Sequence, residues 1–268
     1  MQSRTEELYS PALRKFGFVP EPDNHCYVPN GLCWRQAGEG GDGYYWIYGQ
    51  KDLFTIKIHD FSFREDSFLE FDIPACLSVT YYESISGEEL SPYRRLTAGC
   101  VKTFLGGMEP YRVLIHKNIP ITSIGIDITP AYYETWLKRQ YPEEYVHPLE
   151  AFRTVDQTDC FPEMVRLLEQ VKNYRGEGIA ARLFYEAKVA EAVSLVVAQG
   201  RKQSVQKKEL TQEEQRRMSR GEQLLSETDL PIGQIARSVG YRRASRFAEL
   251  FRESTGLTPG EYRRCARQ

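Results

Sequence analysis

Short segments in the first 130 residues alternate apolar and polar side chains, and this two-residue period constrains the fold more than any other feature. The clearest cases are Leu53–His59, Leu77–Tyr81 and Ile124–Ile128, and Arg112–His116 is a further strand candidate. A two-residue period is typical of β-strands with one buried face. Glycine and proline turn signals separate the segments, so this region is predicted to be an antiparallel β-sandwich or barrel. No helix is predicted before Pro130.

After Pro130 the apolar residues recur every three or four positions, the period of an amphipathic helix. One helix is predicted from near Cys160 to the Gly176/Gly178 pair, with Leu167 on its apolar stripe. A second is predicted from Ile179 to about Ala198. Its apolar face is predicted to consist of Ile179, Leu183, Phe184, Ala187, Ala190 and Val193. Residues 156–200 would thus form a helical hairpin, which either packs on the β domain or forms a dimer contact.

The composition excludes a membrane-embedded chain and a disordered one. The mean hydropathy is -0.51, charged residues make up 27% and aromatic residues 12% of the 268 residues. The start of the chain has no apolar segment of the kind found in secretory signals, and the six cysteines form no CxxC pair, so we expect a cytoplasmic protein with reduced thiols. The net charge of -2 is uneven, because residues 201–268 carry 15 Lys and Arg against nine Asp and Glu. A basic end on an acidic body indicates two modules with different partners.

Residues 200–212 are rich in Gly, Lys, Gln and Ser, which predicts a solvated linker. Thr211 and Glu214 have the spacing of a capping box at the start of the next helix. The sequence therefore predicts three regions. These are residues 1–155, an effector-binding β domain; 156–200, the helical hairpin; and 201–268, the linker with a DNA-binding unit.

The last fifty residues have the pattern of a helix-turn-helix. A short helix capped by Asp229 is predicted to end at Gly240, and a second helix follows from about Arg243 to Ser254. Phe247 and Phe251 would lie on its buried face. Arginine near the start of such a helix can bind guanine edges or phosphates. The predicted DNA-binding residues are Arg242, Arg243, Ala244, Ser245, Arg246 and Glu249. The alternative is a helical cap with a solvated, arginine-rich face.

The segments 232–241, 244–247 and 256–263 resemble the signature of the AraC-type transcription regulators. The resemblance implies a cupin-like barrel that binds an effector and a helix after it at residues 183–193, while the apolar stripe of the hairpin indicates a homodimer. The family normally has two helix-turn-helix units, whereas the resemblance at residues 221–264 covers one, with a join near Arg220. RNA polymerase is a candidate partner of such a regulator.

The expected function is an effector-responsive regulator that binds double-stranded DNA. The alternative is a ligand-binding, dimerising protein whose DNA binding is impaired by the absent unit. Aromatic walls with few polar groups suit a small-molecule site, and the candidates for the unidentified effector are Trp34, Trp46, Arg64 and Tyr81. No catalytic residue, cofactor or metal site is predicted, because none of the four histidines forms a metal-binding pair and no nucleotide or hydrolase motif occurs.

Overall fold

The computed structural model describes residues 4–23, 27, 31–36, 38–90, 93–155, 161–255 and 257–266. The chain divides into two compact units, Met1–Arg201 and Lys202–Gln268. The first contains two antiparallel sheets and most of the helices. The second is helical throughout its described residues.

The strands of the first unit form one sheet of seven strands and one of four. Their order is β1-β2-β3-β4-β11-β6-β9 in the first sheet and β5-β10-β7-β8 in the second, with antiparallel pairing throughout. The strands are β1 Phe18–Pro20, β2 Leu32–Gln36, β3 Gly41–Gln50, β4 Phe54–Phe63, β5 Ser67–Phe71, β6 Leu77–Ser84, β7 Ser86–Leu90, β8 Tyr93–Thr97, β9 Cys100–Leu105, β10 Tyr111–Ile115 and β11 Ile121–Ile128.

The predicted antiparallel β-structure is confirmed, and of the two predicted arrangements the structure has a sandwich and not a closed barrel. Across the residues that the structure describes, no hydrogen-bonded ladder joins the seven-stranded sheet to the four-stranded one. The two-residue period of a strand shows which of its side chains are buried, but it does not show which strand lies next to it. The two sheets instead pack face to face, and side chains such as Phe61, Phe63, Val113 and Ile115 fill the space between them.

Helices cover the other face of the seven-stranded sheet. Ile56 and Ile58 of β4 pack there with Phe152, Met164 and Tyr185. The helices are α1 Arg4–Lys15, α2 Leu137–Gln140, α3 Leu149–Thr154, α4 Pro162–Asn173, α5 Gly178–Glu227, α6 Ile232–Ser238, α7 Ala244–Thr255 and α8 Pro259–Cys265, with a π-helical turn at Ala131–Trp136.

The predicted hairpin is present as α4, the loop at residues 174–177 and the start of α5, but the predicted apolar face of α5 is largely wrong. Only Val193 of the predicted set is buried, while Ile179 and Leu183 are 70% and 59% exposed. The buried face instead comprises Ala181, Tyr185, Val189, Ala192, Val193 and Val196. Leu167 of α4 is buried in the same core. Since α5 has apolar residues on two sides, its spacing alone could not identify the buried one.

Two further predictions from the sequence are wrong. Helix α1 precedes β1, although its short apolar set and Pro11 gave no clear helical period. Helix α5 runs for 50 residues through the predicted linker, so Thr211 lies inside a helix and not at its start. Lys, Gln and Glu are good helix formers, and the segment has no proline to stop the helix. The boundary between the two units falls within α5.

The second unit has its own small core. Phe247 and Phe251 of α7 are fully buried and pack with Leu225 of α5 and with Ile235 and Val239. The last helix, α8, begins with a capping box in which Thr258 and Glu261 bind each other's backbone. The unit therefore holds its helices together with a few large apolar side chains.

Candidate DNA-binding and effector-binding sites

Helix α7 presents its first turn to solvent and its aromatic residues to the core. Phe247 lies 5.4 Å from Phe251 and 5.8 Å from Tyr241, ring centre to ring centre. Gly221 of α5 lets these helices approach closely, because a Cβ there would stand 3.0 Å from a ring carbon of Phe247. The aromatic packing thus fixes which side of α7 faces outward.

The turn between α6 and α7 depends on Gly240, which has a φ of +91°. A left-handed residue at this position ends a helix without the strain that a side chain would cause. The amide of Gly240 donates to the carbonyl of Arg237 at 3.1 Å, and the amide of Tyr241 donates to that of Ala236 at 2.8 Å. The role expected for Gly240 is confirmed, whereas α6 has Pro231 and not Asp229 at its N-cap.

The six residues predicted to bind DNA lie together on the exposed side of this turn and helix. All of Arg242, Arg243, Ala244, Ser245 and Arg246 are exposed, and so is Glu249 one turn later. The guanidinium of Arg246 lies 3.5 Å from the carboxylate of Glu249. An exposed pair of this kind contributes little to stability, so both side chains are available to a ligand.

A cavity of about 170 Å³ lies between the two sheets, with α1 along one side. Its walls are mostly apolar, and they include Leu8, Leu13, Phe16, Phe18, Phe61, Phe63, Leu69, Phe71, Phe104, Val113 and Ile115. The polar residues that line it come mainly from the seven-stranded sheet, and they include Tyr45, Lys57, His59, Ser78, Thr80, Tyr82 and Lys102. Apolar pockets with a few placed polar groups are typical of small-molecule sites.

One of the residues that line this cavity, Lys57, belongs to a buried ion pair. The ammonium of Lys57 is 2.6 Å from the carboxylate of Asp127, and the hydroxyl of Tyr9 donates to the same carboxylate oxygen at 2.8 Å. Burial disfavours the charged lysine, but the adjacent Asp127 outweighs this effect, and the pKa of Lys57 is raised. Burial, together with Asp127, also raises the pKa of Tyr9. The hydroxyl of Tyr9 connects α1 to the sheet.

His59 lines the cavity in the uncharged state. Burial and the neighbouring Lys57 lower its pKa from 6.5 to about 3. Its Nδ1 lies 2.8 Å from the hydroxyl of Ser123, and its ring packs against that of Tyr45 at 4.3 Å. Nε2 is buried and makes no hydrogen bond with the protein.

A second ion pair in the cavity joins Lys102 of β9 to Glu89 of β7. The hydroxyl of Tyr111 donates to Glu89 at 2.6 Å, and Arg94 approaches the same carboxylate to 3.9 Å. Burial lowers the pKa of Lys102, and the attraction of Glu89 only partly compensates. Glu89 thus accepts from Tyr111 and Lys102, while Arg94 lies beyond hydrogen-bonding distance.

None of the four residues predicted to bind the effector lines this cavity. Trp46 and Tyr81 face the helices, on the other side of the seven-stranded sheet. Trp34 is buried in the core between the sheets without lining the cavity, and Arg64 is exposed. The polar residues that do line it occupy alternate strand positions, a pattern that normally indicates a solvent-facing side. The signal that could have identified these residues is the pair of opposite charges, Lys57 and Asp127, on the polar face of the predicted strands.

Among the residues described, no group of three or more His, Cys, Asp or Glu side chains is placed to hold a metal ion. Nor does any described helix have the length and apolar character needed to cross a membrane.

Comparisons with known proteins give two family matches. Residues 51–211 match the family described as the regulatory protein PchR N-terminal domain. Residues 213–265 match an AraC-type helix-turn-helix domain. No curated protein matches the chain.

Several solved structures are similar to the chain at low identity. ToxT from Vibrio cholerae is 12% identical, with 79% of this chain and 98% of that chain covered at a TM-score of 0.34. The AraC-like transcriptional activator CuxR is 12% identical, with 98% and 90% covered at a TM-score of 0.39. Oxalate decarboxylase from Bacillus subtilis is 10% identical, with 41% and 32% covered at a TM-score of 0.28.

Proposed function

The chain belongs to the AraC-type transcription regulators with a PchR-type N-terminal regulatory domain, and we propose that it binds an operator through α7 in response to an effector in the cavity of its β domain. Members of this family are regulators and not enzymes. A regulator that acts on DNA works in the compartment that holds the DNA, which supports the expected cytoplasmic location.

The observation that carries the DNA-binding proposal is the exposed first turn of α7. Three arginines, Arg242, Arg243 and Arg246, share this surface while Phe247 and Phe251 hold the opposite side in the core. A recognition helix in the major groove contacts base edges with its N-terminal residues. Arginine can bind guanine through two hydrogen bonds. We therefore assign base contacts to Arg246 and phosphate or base contacts to Arg242 and Arg243.

The test compares Arg246→Ala with Arg252→Ala on operator and on random DNA at several salt concentrations. Arg252 is also exposed on α7, but it lies in the last turn. Loss of a base contact should cost about 1–3 kcal/mol on the operator and relax one position, whereas Arg252→Ala should have little effect. Equal losses on both DNAs would reassign Arg246 to a phosphate contact. If the wild-type chain does not prefer any operator, the alternative of a ligand-binding protein with impaired DNA binding is favoured.

We also propose that the chain is a homodimer formed through the outer side of α5. On the side opposite the buried face, Ile179, Leu183, Ala187 and Ala190 are exposed. Their spacing of three and four residues is that of a seam between two helices. One helix-turn-helix unit reads few base pairs, and two subunits double both the contact area and the readout.

The proposed effector site is the cavity between the sheets. It combines apolar walls with Lys57, His59, Glu89 and Lys102, which are buried or half-buried. Apolar residues in place of a buried ion pair are often as stable or more stable, so the presence of two such pairs here supports a role in recognition. Residues 1–155 would accordingly bind the effector, 156–200 would dimerise, and 201–268 would bind DNA.

A further inference from the structure

We propose that the effector is an uncharged molecule with an apolar ring and a hydroxyl group, and that the hydroxyl forms a hydrogen bond with Nε2 of His59. This inference rests on the proposed function of the cavity and adds the chemistry of the ligand. It follows from three properties of the cavity, which are its walls, the pairing of its charges and the state of its histidine.

The walls suit an aromatic body of modest size. Phe16, Phe61, Phe63, Phe71 and Phe104 all line the cavity. Aromatic rings prefer edge-to-face or offset contacts with other rings. An apolar cavity of about 150 Å³ is large enough for benzene, and the volume here is about 170 Å³. A single ring with small substituents therefore fits.

The charged residues that line the cavity already have partners of opposite charge. Lys57 is paired with Asp127, and Lys102 with Glu89. The remaining charged lining residue, Asp72, is exposed. A charged ligand would leave one buried charge uncompensated, whether it displaced a member of a pair or shared its partner, and this is strongly destabilising. Arg94, at 3.9 Å from Glu89, is too far from that carboxylate to replace Lys102 in close contact. The ion pairs thus favour an uncharged ligand.

His59 supplies a polar atom that the protein leaves without a partner. Its Nδ1 is used by Ser123, while Nε2 is buried and makes no hydrogen bond. Buried polar groups in native structures almost always have partners. Because the imidazole is uncharged, Nε2 is a donor in one tautomer and an acceptor in the other. A hydroxyl can accept or donate, so it matches either tautomer.

Nζ of Lys102 is also buried in the cavity wall, and it contacts Glu89 and has no other hydrogen-bond partner in the protein. An ammonium has three protons, so it can donate to a second oxygen of the ligand without giving up Glu89. The hydroxyl of the ligand is therefore assigned to His59, and an acceptor oxygen elsewhere on the ring is compatible with Lys102.

The test uses three probes with the full chain at neutral pH, namely phenol, toluene and benzoate. Toluene replaces the hydroxyl by a methyl group, and benzoate adds a negative charge. Binding is followed by NMR of protein labelled with ¹⁵N in its histidine rings. Phenol is expected to bind and to shift the Nε2 signal of His59 while leaving that of His116 unchanged. Toluene is expected to bind about threefold to tenfold more weakly, the usual effect of one hydrogen bond.

Substitutions at His59 test whether its hydrogen bond to phenol contributes to binding. His59→Asn retains a polar atom near Nδ1 for Ser123 but removes Nε2, and it should weaken phenol binding about threefold to tenfold. His59→Gln can place an amide near Nε2 and should restore part of the affinity. The matched control is His116→Asn, since the Nδ1 of His116 also lies 2.8 Å from a serine hydroxyl, that of Ser86, and His116 does not line the cavity.

Three results would overturn the inference. Benzoate could bind as tightly as phenol, phenol could bind without moving the His59 signal, or none of the probes could bind. The second result would mean that water satisfies Nε2. Because the spectra are recorded on the wild-type chain, they test the contact with His59 even if the His59→Asn variant does not fold. The proposed regulator function is tested separately by the operator measurements, and its failure would appear there and not in these spectra.

Discussion

The ammonium of Lys102 contacts the carboxylate of Glu89, and this ion pair joins the edge strand β9 of one sheet to β7 of the other. The side chains are 3% and 6% exposed. Two charges so far from water are stable only as a pair. The pair therefore ties the two sheets together at the cavity while also defining which ligands the cavity accepts.

Breaking this pair should destabilise the first unit. Glu89→Gln leaves Lys102 buried without an opposite charge, and we expect the free energy of unfolding to fall by about 3–5 kcal/mol. Urea unfolding monitored by tryptophan fluorescence measures this change. The control is Glu70→Gln, which breaks the exposed pair between Glu70 and Arg112 and should cost less than about 1 kcal/mol. Equal effects of the two substitutions would contradict the argument from burial.

Acid should destabilise the first unit through His59. In the unfolded chain this histidine takes up a proton as the pH falls through 6.5, whereas the folded protein resists protonation until about pH 3. Between these values the unfolded state binds more protons, so stability should fall on acidification by about 1.4 kcal/mol per pH unit from this group.

His59→Gln should remove this contribution, so that its stability declines less steeply from pH 6.5 towards pH 3 than that of the wild type. Unfolding curves at a series of pH values provide the measurement. An identical slope in the wild type and in His59→Gln would show that His59 takes up its proton at the same pH in the folded and unfolded states.

Phe247→Ala should unfold the second unit and leave the first folded. Phe247 is fully buried and contacts both Phe251 and Tyr241. Removal of a buried phenylalanine costs about 3–5 kcal/mol, and a core of so few residues has little stability to lose. Amide exchange should lose protection across residues 232–262 but not across β4 and β11. Leu250→Ala, at a half-buried position of α7, is expected to cause a smaller loss.

Leu183→Arg should convert the dimer to a monomer and weaken operator binding in the same sample. Leu183 is 59% exposed on the outer side of α5, so arginine is tolerated in the folded subunit but not between two apolar surfaces. Sedimentation and DNA titration give the two measurements. Asn173→Arg, exposed at the end of α4, is the control. Leu167, on the predicted apolar stripe of α4, is buried in the subunit core, and arginine there would unfold the first unit.

Local sequence patterns were sufficient to predict those parts of the structure that depend on interactions between residues close together in the chain. Alternation located β4, β6 and β11, a short apolar segment located β10, and Gly240 marked the turn before α7. The spacing of Phe247 and Phe251 was enough to place the predicted DNA-binding residues on the opposite, exposed side of that helix. In each case the deciding interactions lie within a few residues of one another along the chain, so the sequence reports them directly.

The tertiary structure decided what depends on residues far apart in the chain. The sequence determined that Lys57 and His59 alternate with Ile56 and Ile58, but not that the polar set faces a cavity. That orientation arises because a second sheet and α1 cover the side that would otherwise meet water. Likewise, the two apolar sides of α5 could be told apart only once one of them was packed against the sheet. Burial depends on what lies opposite a side chain, and a linear pattern does not contain that information.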